Sequence, residues 1–188
     1  MGNDQQLLIA LGGNLPSQVG PPALTLRAAL QQLERAGIEI KTVSRFYSTP
    51  CFPPGAGPDY VNAAAQVAYR GPVENFLQKL HATEAQFGRE RVERWGRRTL
   101  DLDLIAAGQL VHPDIDTHTT WRSLPPDQQT VKTPDRLILP HPRLQDRAFV
   151  LVPLAEIAPE WCHPVLNLSV AQMLAALPEK DKSEVVAL

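Results

Sequence analysis

The chain has 188 residues, with 18 Lys and Arg against 20 Asp and Glu, a formal net charge of -2. That length predicts a single domain over 1–188, and that balance excludes a sticky polycation. With 44% hydrophobic and 20% charged residues, the chain has the apolar surface for a sizeable core and too little net charge for disorder.

Eighteen prolines and 11 glycines point to long ordered loops between regular elements. The polar start over 1–6 and the short apolar run over 7–11 do not form a signal peptide. No stretch approaches the ~20 apolar residues of a membrane span, so the expectation is a soluble, cytoplasmic protein. Cys51 and Cys162 lack a CxxC spacing. They close one disulfide or stand as free thiols, and a reducing compartment favours the thiols.

The apolar run 7–11 stops at Gly12-Gly13-Asn14, which predicts a buried strand ending in a tight turn, with a backbone nest for an anion as the weaker alternative. Pro22, Leu26, Leu30, Leu33 and Gly37 predict a proline-started, glycine-stopped helix over 22–36. Runs rich in β-branched and aromatic residues over 38–47 and in apolar residues over 60–69 read as two strands joined by a stiff Pro/Gly connection. Pro72 opens a second helix, with Val73, Phe76, Leu77, Leu80 and Phe87 at helical spacing and Gly88 at its end. A strand over 99–106 completes βαββαβ, the pattern of a ferredoxin-like α+β sandwich with a core over about 7–106.

The segment 108–136 is polar, proline-punctuated and without a clear period, and reads as a long loop: a lid, a partner loop or a mobile insertion. The C-terminal part, 137–188, holds short runs over 137–140 and 149–152, a short helix through Asp146 between them, and a small final helix. Ser169 and Gln172 fit a capping box for that helix, and Val170, Met173, Leu174 and Leu177 form its packing stripe.

The chemistry concentrates in Thr99-Leu100-Asp101-Leu102-Asp103-Leu104. Alternation on a strand puts three leucines on one face and two carboxylates, about 7 Å apart at Cβ, on the other. Parallel carboxylates repel, and a divalent cation or an arginine between them relieves the repulsion. The plainer alternative is a solvated strand face. Just before it, 89–98 holds five arginines and two glutamates. Guanidinium forks suit phosphate oxygens, so this cluster beside paired acids resembles a polyphosphate clamp. The chain has neither GxxxxGK[ST] nor GxGxxG, which excludes the P-loop and Rossmann modes. Glu84 falls near the sheet-facing side of its helix and is either ion-paired to an arginine or in contact with substrate.

These residues resemble the 6-hydroxymethyl-7,8-dihydropterin pyrophosphokinase family of folate biosynthesis. The resemblance rests on Arg94-Trp95-Gly96-Arg97-Arg98-Thr99-Leu100-Asp101-Leu102-Asp103-Leu104, Phe46-Tyr47-Ser48-Thr49-Pro50, Pro58-Asp59-Tyr60-Val61-Asn62, Pro140-His141-Pro142-Arg143 and Arg147-Ala148-Phe149, in family order. It implies a ferredoxin-like fold and ATP-dependent pyrophosphoryl transfer to a pterin alcohol with release of AMP. Asp101 and Asp103 are implied to hold two Mg2+ ions. Arg89 and Arg98 join them as implied catalytic residues. Thr49, Phe52, Tyr60, Asn62, Trp95 and Phe149 are implied pterin contacts, with Tyr60 and Phe149 sandwiching the ring. Read without the family, Tyr60 and Phe149 are core residues and His141 a loop or capping residue. Glu84, Arg91, Trp95, Arg98, Leu104, Ile138, His141 and Arg147 are implied ATP contacts. Val92 stands where the family has a lysine, Arg97 where it has proline or a small residue, and Cys51 where proline is common.

The implied partners are ATP and hydroxymethyldihydropterin, with no nucleic acid and no membrane, and a monomer as the expected state. An RNA-binding module on a ferredoxin-like sheet is the rival of another class. Acids rather than lysines on the strand face and the charge of -2 oppose it. A catalytically dead scaffold is opposed by the intact acid pair.

Overall fold

The computed structural model describes residues 5–51, 55, 57–88 and 98–188. The elements run β1 (Gln5–Gly13), α1 (Pro22–Arg35), β2 (Glu39–Val43), β3 (Tyr47–Thr49), β4 (Tyr60–Tyr69), α2 (Val73–Gln86) and β5 (Asp101–Ala107). After them come α3 (Ile115–Arg122), α4 (Pro126–Val131), a 3-10 turn at Leu144–Asp146, α5 (Ala148–Ile157), α6 (Val170–Ala176), α7 (Glu179–Ser183) and β6 (Val186–Ala187). The strands form one antiparallel sheet in the order β5-β1-β4-β3-β6, with β2 also on β4. Counting β2 and β3 together as the second strand, the order is that of the α+β sandwich expected from the sequence.

Local chemistry explains the helices that position the sheet. Pro21 is the extended N-cap of α1 and Pro22 its first residue, where a missing N–H costs nothing. At its end Gly37 takes φ 84°, and the Gly37 and Ile38 N–H groups donate to Glu34 and Leu33 carbonyls at 2.9 and 3.1 Å, a Schellman closure. Leu26, Ala29 and Leu33 of α1, with Phe76 and Leu80 of α2, pack on Leu7, Ile9, Leu11, Leu100, Leu102 and Leu104. Each fully buried leucine there contributes roughly 2 kcal/mol.

The opposite face carries a second apolar cluster. Leu8, Ala64, Ile105 and Ala106 meet Val150, Leu151 and Leu154 of α5 and Val170 and Met173 of α6. The sheet is therefore covered on both faces. The capping box of α6 is complete: Gln172 N–H donates to Ser169 Oγ at 3.1 Å, and Ser169 N–H to Gln172 Oε1 at 2.9 Å.

Four local features depart from the sequence reading. The strand expected over 38–47 is split, because Ser44 Oγ accepts the Ala64 N–H at 2.9 Å and Glu156 Oε2 takes the Arg45 N–H at 3.0 Å. Side chains there replace ladder partners. The segment 108–136, read as a long loop, contains α3 and α4. Asp114 caps α3 by accepting the Thr117 N–H at 2.8 Å, whereas three threonines and one buried residue, His118, give no apolar stripe to read. Gly12 and Gly13 are not a turn; both continue β1. A Cβ on Gly13 would lie 2.6 Å from the Thr99 carbonyl oxygen, so close backbone approach requires the glycine. Finally, β5 carries a bulge. Leu8 pairs with Ala106 and Ile9 with Leu104, leaving Ile105 unpaired in the ladder. Both described cysteines are free thiols, and among the described residues no helix is long and apolar enough to cross a membrane.

Candidate active site

Strand register sets the site. Gly12 pairs with Asn62 of β4 on one side and Asp101 of β5 on the other. Thr49 pairs with Tyr60, and Tyr47 with Asn62. The alternating neighbours Leu100, Leu102, Leu104, Ala63 and Ala65 lie in the helix-side core. Asp101, Asp103, Tyr60, Asn62 and Thr49 therefore share the other face. Both aspartates are half-buried.

The Arg98 guanidinium forms an ion pair with Asp101. Burial opposes its charge, but Asp101 and Asp103 outweigh burial and hold it above the ordinary arginine range. Its backbone is clamped by Asn14: the Arg98 N–H donates to Asn14 Oδ1 at 2.9 Å, and the Asn14 N–H donates to the Arg98 carbonyl at 2.9 Å. Asn14 Nδ2 also donates to the Pro58 carbonyl at 3.2 Å, joining the loop before β4 to the entry of β5. Asn14 thus replaces the anion nest considered from the sequence with a staple. Nothing but its place after two glycines marked it.

Arg147, at the N-cap of α5, completes the basic wall. Burial presses its pKa down, while the fields of Asp103 and then Asp101 act against that and Arg143 and Arg98 add to it. The two acids and three guanidiniums thus form one electrostatic cluster. His141 lies within it, its pKa pushed down to about 3 by burial and by Arg147 and Arg143. Its Nδ1 accepts the Arg143 N–H at 3.1 Å, so the neutral ring carries its proton on Nε2, a ready donor. Arg143 belongs to this cluster although the sequence reading gave it no role; the Pro140-His141-Pro142-Arg143 motif was its signal.

The aromatic and amide groups lie beside the acids. Asn62, 6% exposed, donates from Nδ2 to Thr49 Oγ1 at 2.7 Å. Tyr60 is half-buried; burial raises its phenol pKa, Arg98 opposes, and Cys51 and Asp101 add to the rise. Phe149 is 41% exposed on α5, and the Arg147 guanidinium lies 5.7 Å from its ring centroid. Neither Tyr60 nor Phe149 is a core residue.

Two side chains that the resemblance assigns to ATP are buried and do not share the face of Asp101 and Asp103. Leu104, 4% exposed, is in the helix-side core because strand alternation sends it away from Asp101 and Asp103. Glu84, 2% exposed on α2, bonds the edge strand's backbone, its Oε1 accepting the Leu102 N–H at 2.7 Å. It supports the backbone between the two aspartates. Ile138 is buried too, at 5% exposure. Phe52, Arg89, Arg91 and Trp95 lie outside the described residues. A cleft of about 450 Å3 against Gln6, Gln66 and Trp161 is at the opposite end of the strands and includes none of the site residues.

An antiparallel α+β sheet bearing paired carboxylates among guanidiniums has the makings of a phosphate-handling enzyme. Residues 8–159 match the family described as 7,8-dihydro-6-hydroxymethylpterin-pyrophosphokinase. The chain is 39% identical over 168 residues to the 2-amino-4-hydroxy-6-hydroxymethyldihydropteridine pyrophosphokinase of Synechocystis sp., covering 89% of this chain and 73% of that one. It is 34% identical to the enzyme of the same name from Pseudomonas aeruginosa, covering 93% of each. The wild-type HPPK-DHPS of Plasmodium falciparum superposes with a TM-score of 0.63 at 13% identity, over 93% of this chain and 45% of that one. That likeness shows the fold alone, and this chain spans less than half of the solved chain. On the family match and the two relatives, the chain belongs to the 7,8-dihydro-6-hydroxymethylpterin-pyrophosphokinase family.

Proposed function

We propose that the Asp101–Asp103 face is where the chain carries out its family's reaction, transfer of a pyrophosphoryl group from ATP to the hydroxymethyl oxygen of 6-hydroxymethyl-7,8-dihydropterin, in folate biosynthesis. The observation that carries this reading is the pair of same-face carboxylates set among Arg98, Arg143 and Arg147. The hydroxymethyl oxygen attacks the β-phosphorus in line, the bond from that phosphorus to the α-phosphate bridging oxygen breaks, and AMP leaves as the hydroxyl proton is lost.

The donor set suits Mg2+. Two hard carboxylates on one rigid strand are half-buried, and among the described residues no group of three or more His, Cys, Asp or Glu comes together. Mg2+ bound by one or two carboxylates completes its shell with waters and substrate phosphate oxygens, which fits two ions arriving with ATP on Asp101 and Asp103. When bound, the metal supplies charge neutralisation along the polyphosphate.

The chain's own residues orient and neutralise. Arg98 turns from Asp101 toward the incoming phosphates, Arg147 meets them from the α5 side, and neutral His141 donates from Nε2. Asn62, held by Thr49, hydrogen-bonds the amide-like edge of the pterin, and Tyr60 and Phe149 take its flat faces, each stacked pair contributing roughly 0.5–1.5 kcal/mol. Positioning and electrostatics do the work. The same reading has a cytoplasmic monomer acting on small molecules.

Mass spectrometry of a reaction with MgATP and hydroxymethyldihydropterin tests it. AMP and a pterin carrying two phosphates are expected together. ADP with a singly phosphorylated pterin would overturn it.

A further inference from the structure

One peptide unit beside the site is gripped from both sides. The His141 N–H donates to the carbonyl of Ile105, the bulge residue of β5, at 2.8 Å. The other end of that peptide, the Pro140 carbonyl, is 3.0 Å from Nε2 of His118 on α3. In a trans peptide the N–H and C=O point in opposite directions, so the sheet and α3 hold the same plane between them. That plane fixes the direction in which His141 leaves the backbone.

The tautomer of His118 is set by its partners. A carbonyl only accepts, so Nε2 of His118 carries the proton and Nδ1 is the bare nitrogen. Beside it, 5.5 Å between ring centroids, lies His163. The Val165 and Leu166 N–H groups donate to His163 Nδ1 at 3.1 and 3.2 Å, which puts the His163 proton on Nε2. The remaining nitrogens of the two rings are thus an acceptor on His118 and a donor on His163. His118 and His163 are both fully buried. The entry to α3 is tied to the same strip, since His112 and Leu139 exchange backbone hydrogen bonds at 2.9 and 3.0 Å.

We propose that His118 is a positioning residue for His141, and that the 108–136 segment is a buttress which aims the His141 ring at the nucleotide phosphates. This rests on the reading of His141 as an ATP contact. A buried histidine serving only as filler would need no donor aimed at that carbonyl. His118→Leu removes the donor, while His118→Gln places an amide N–H near the position of Nε2.

Steady-state kinetics with both substrates separates the roles. The Leu variant is expected to raise KM for MgATP about fivefold or more, with the pterin KM within twofold of wild type, and the Gln variant to recover most of the loss. Equal shifts in both KM values, an unchanged MgATP KM in folded His118→Leu, or no rescue by Gln would overturn the proposal. His141→Ala in parallel tests the underlying reading: if its MgATP KM is that of wild type, the assignment of His141 fails rather than the buttress. Should the Leu variant not fold, 15N-histidine NMR of the wild-type enzyme decides. A protonated Nε2 and bare Nδ1 are expected for His118, and the opposite tautomer, which cannot donate to Pro140, overturns the proposal.

Discussion

Asn62 and Asp101 sit on opposite sides of the same residue, Gly12, in neighbouring strands of the sheet. Two strand spacings, about 9–10 Å, separate their backbones, and the residue between them has no side chain. The group proposed to read the pterin edge and the group proposed to meet the phosphates thus face a shared notch, long enough for the hydroxymethyl arm to cross.

That notch makes Gly12→Ala informative. Its Cβ would lie 2.9 Å from Asn62 Oδ1, the end of a side chain that can turn away at modest cost. The expected outcome is a pterin KM raised about tenfold with less than about 1.5 kcal/mol lost in stability. Gly13→Ala differs because its Cβ meets the Thr99 backbone carbonyl at 2.6 Å. Urea unfolding should show a loss of about 1–3 kcal/mol there, and equal stability of Gly13→Ala and wild type would refute the close-approach argument.

Asp101→Asn and Asp103→Asn each keep the size of the side chain and remove its charge. If the two carboxylates hold cations against the transferring phosphates, each change should cost several kcal/mol at the transition state, about a hundredfold or more in rate. Asp101→Asn also removes the charge that pairs with Arg98. Full activity in both variants would remove the site assignment.

Much of this was legible because the signals were local. The helices over 22–35 and 73–86 combine apolar stripes with Pro and Gly punctuation, and the bounds of β4 at Tyr60–Tyr69 coincide with the apolar run. Alternation in Asp101-Leu102-Asp103-Leu104 placed both acids on one face, as found. What was illegible depends on long-range partners. The break at Ser44 needs Ala64 and Glu156, the aim of His118 needs Pro140, and two-residue β6 is defined by its pairing with Tyr47 and Ser48. The spacing of Glu84 suggested an ion pair with an arginine of 89–98, most of which lie outside the described residues, or a substrate contact; its bond to the Leu102 N–H leaves no mark in sequence.

Glu84 carries its own test. Its Oε1 accepts the buried Leu102 N–H at 2.7 Å, between the two aspartates on β5. Glu84→Leu would strand that donor, at a cost of about 1–3 kcal/mol, while Glu84→Gln retains an acceptor. Denaturant unfolding should therefore rank the Gln variant above the Leu variant, and the Leu variant should also lose activity as β5 relaxes. Equal stability of the two would mean that the bond contributes nothing.

Two buried histidines, His118 and His163, give the fold a pH dependence. Burial, with neighbouring His118 and Arg122 adding to it, lowers the pKa of His163 to about 4, against about 6.5 in an unfolded chain. Burial also lowers that of His118, with its bond to Pro140 opposing and Arg122 reinforcing the fall. Between these values the unfolded chain binds more protons than the folded one, so stability is fullest above pH 6.5 and declines as pH falls toward 4. For His163 alone the loss between pH 7.5 and 5 is about 2 kcal/mol. His163→Asn keeps an acceptor for the Val165 and Leu166 N–H groups and removes the titration. Urea unfolding at both pH values should show a smaller acid loss in that variant, by about 1–2 kcal/mol. Carboxylate titration is common to both proteins and cancels, so parallel pH profiles would rule out His163 as the source.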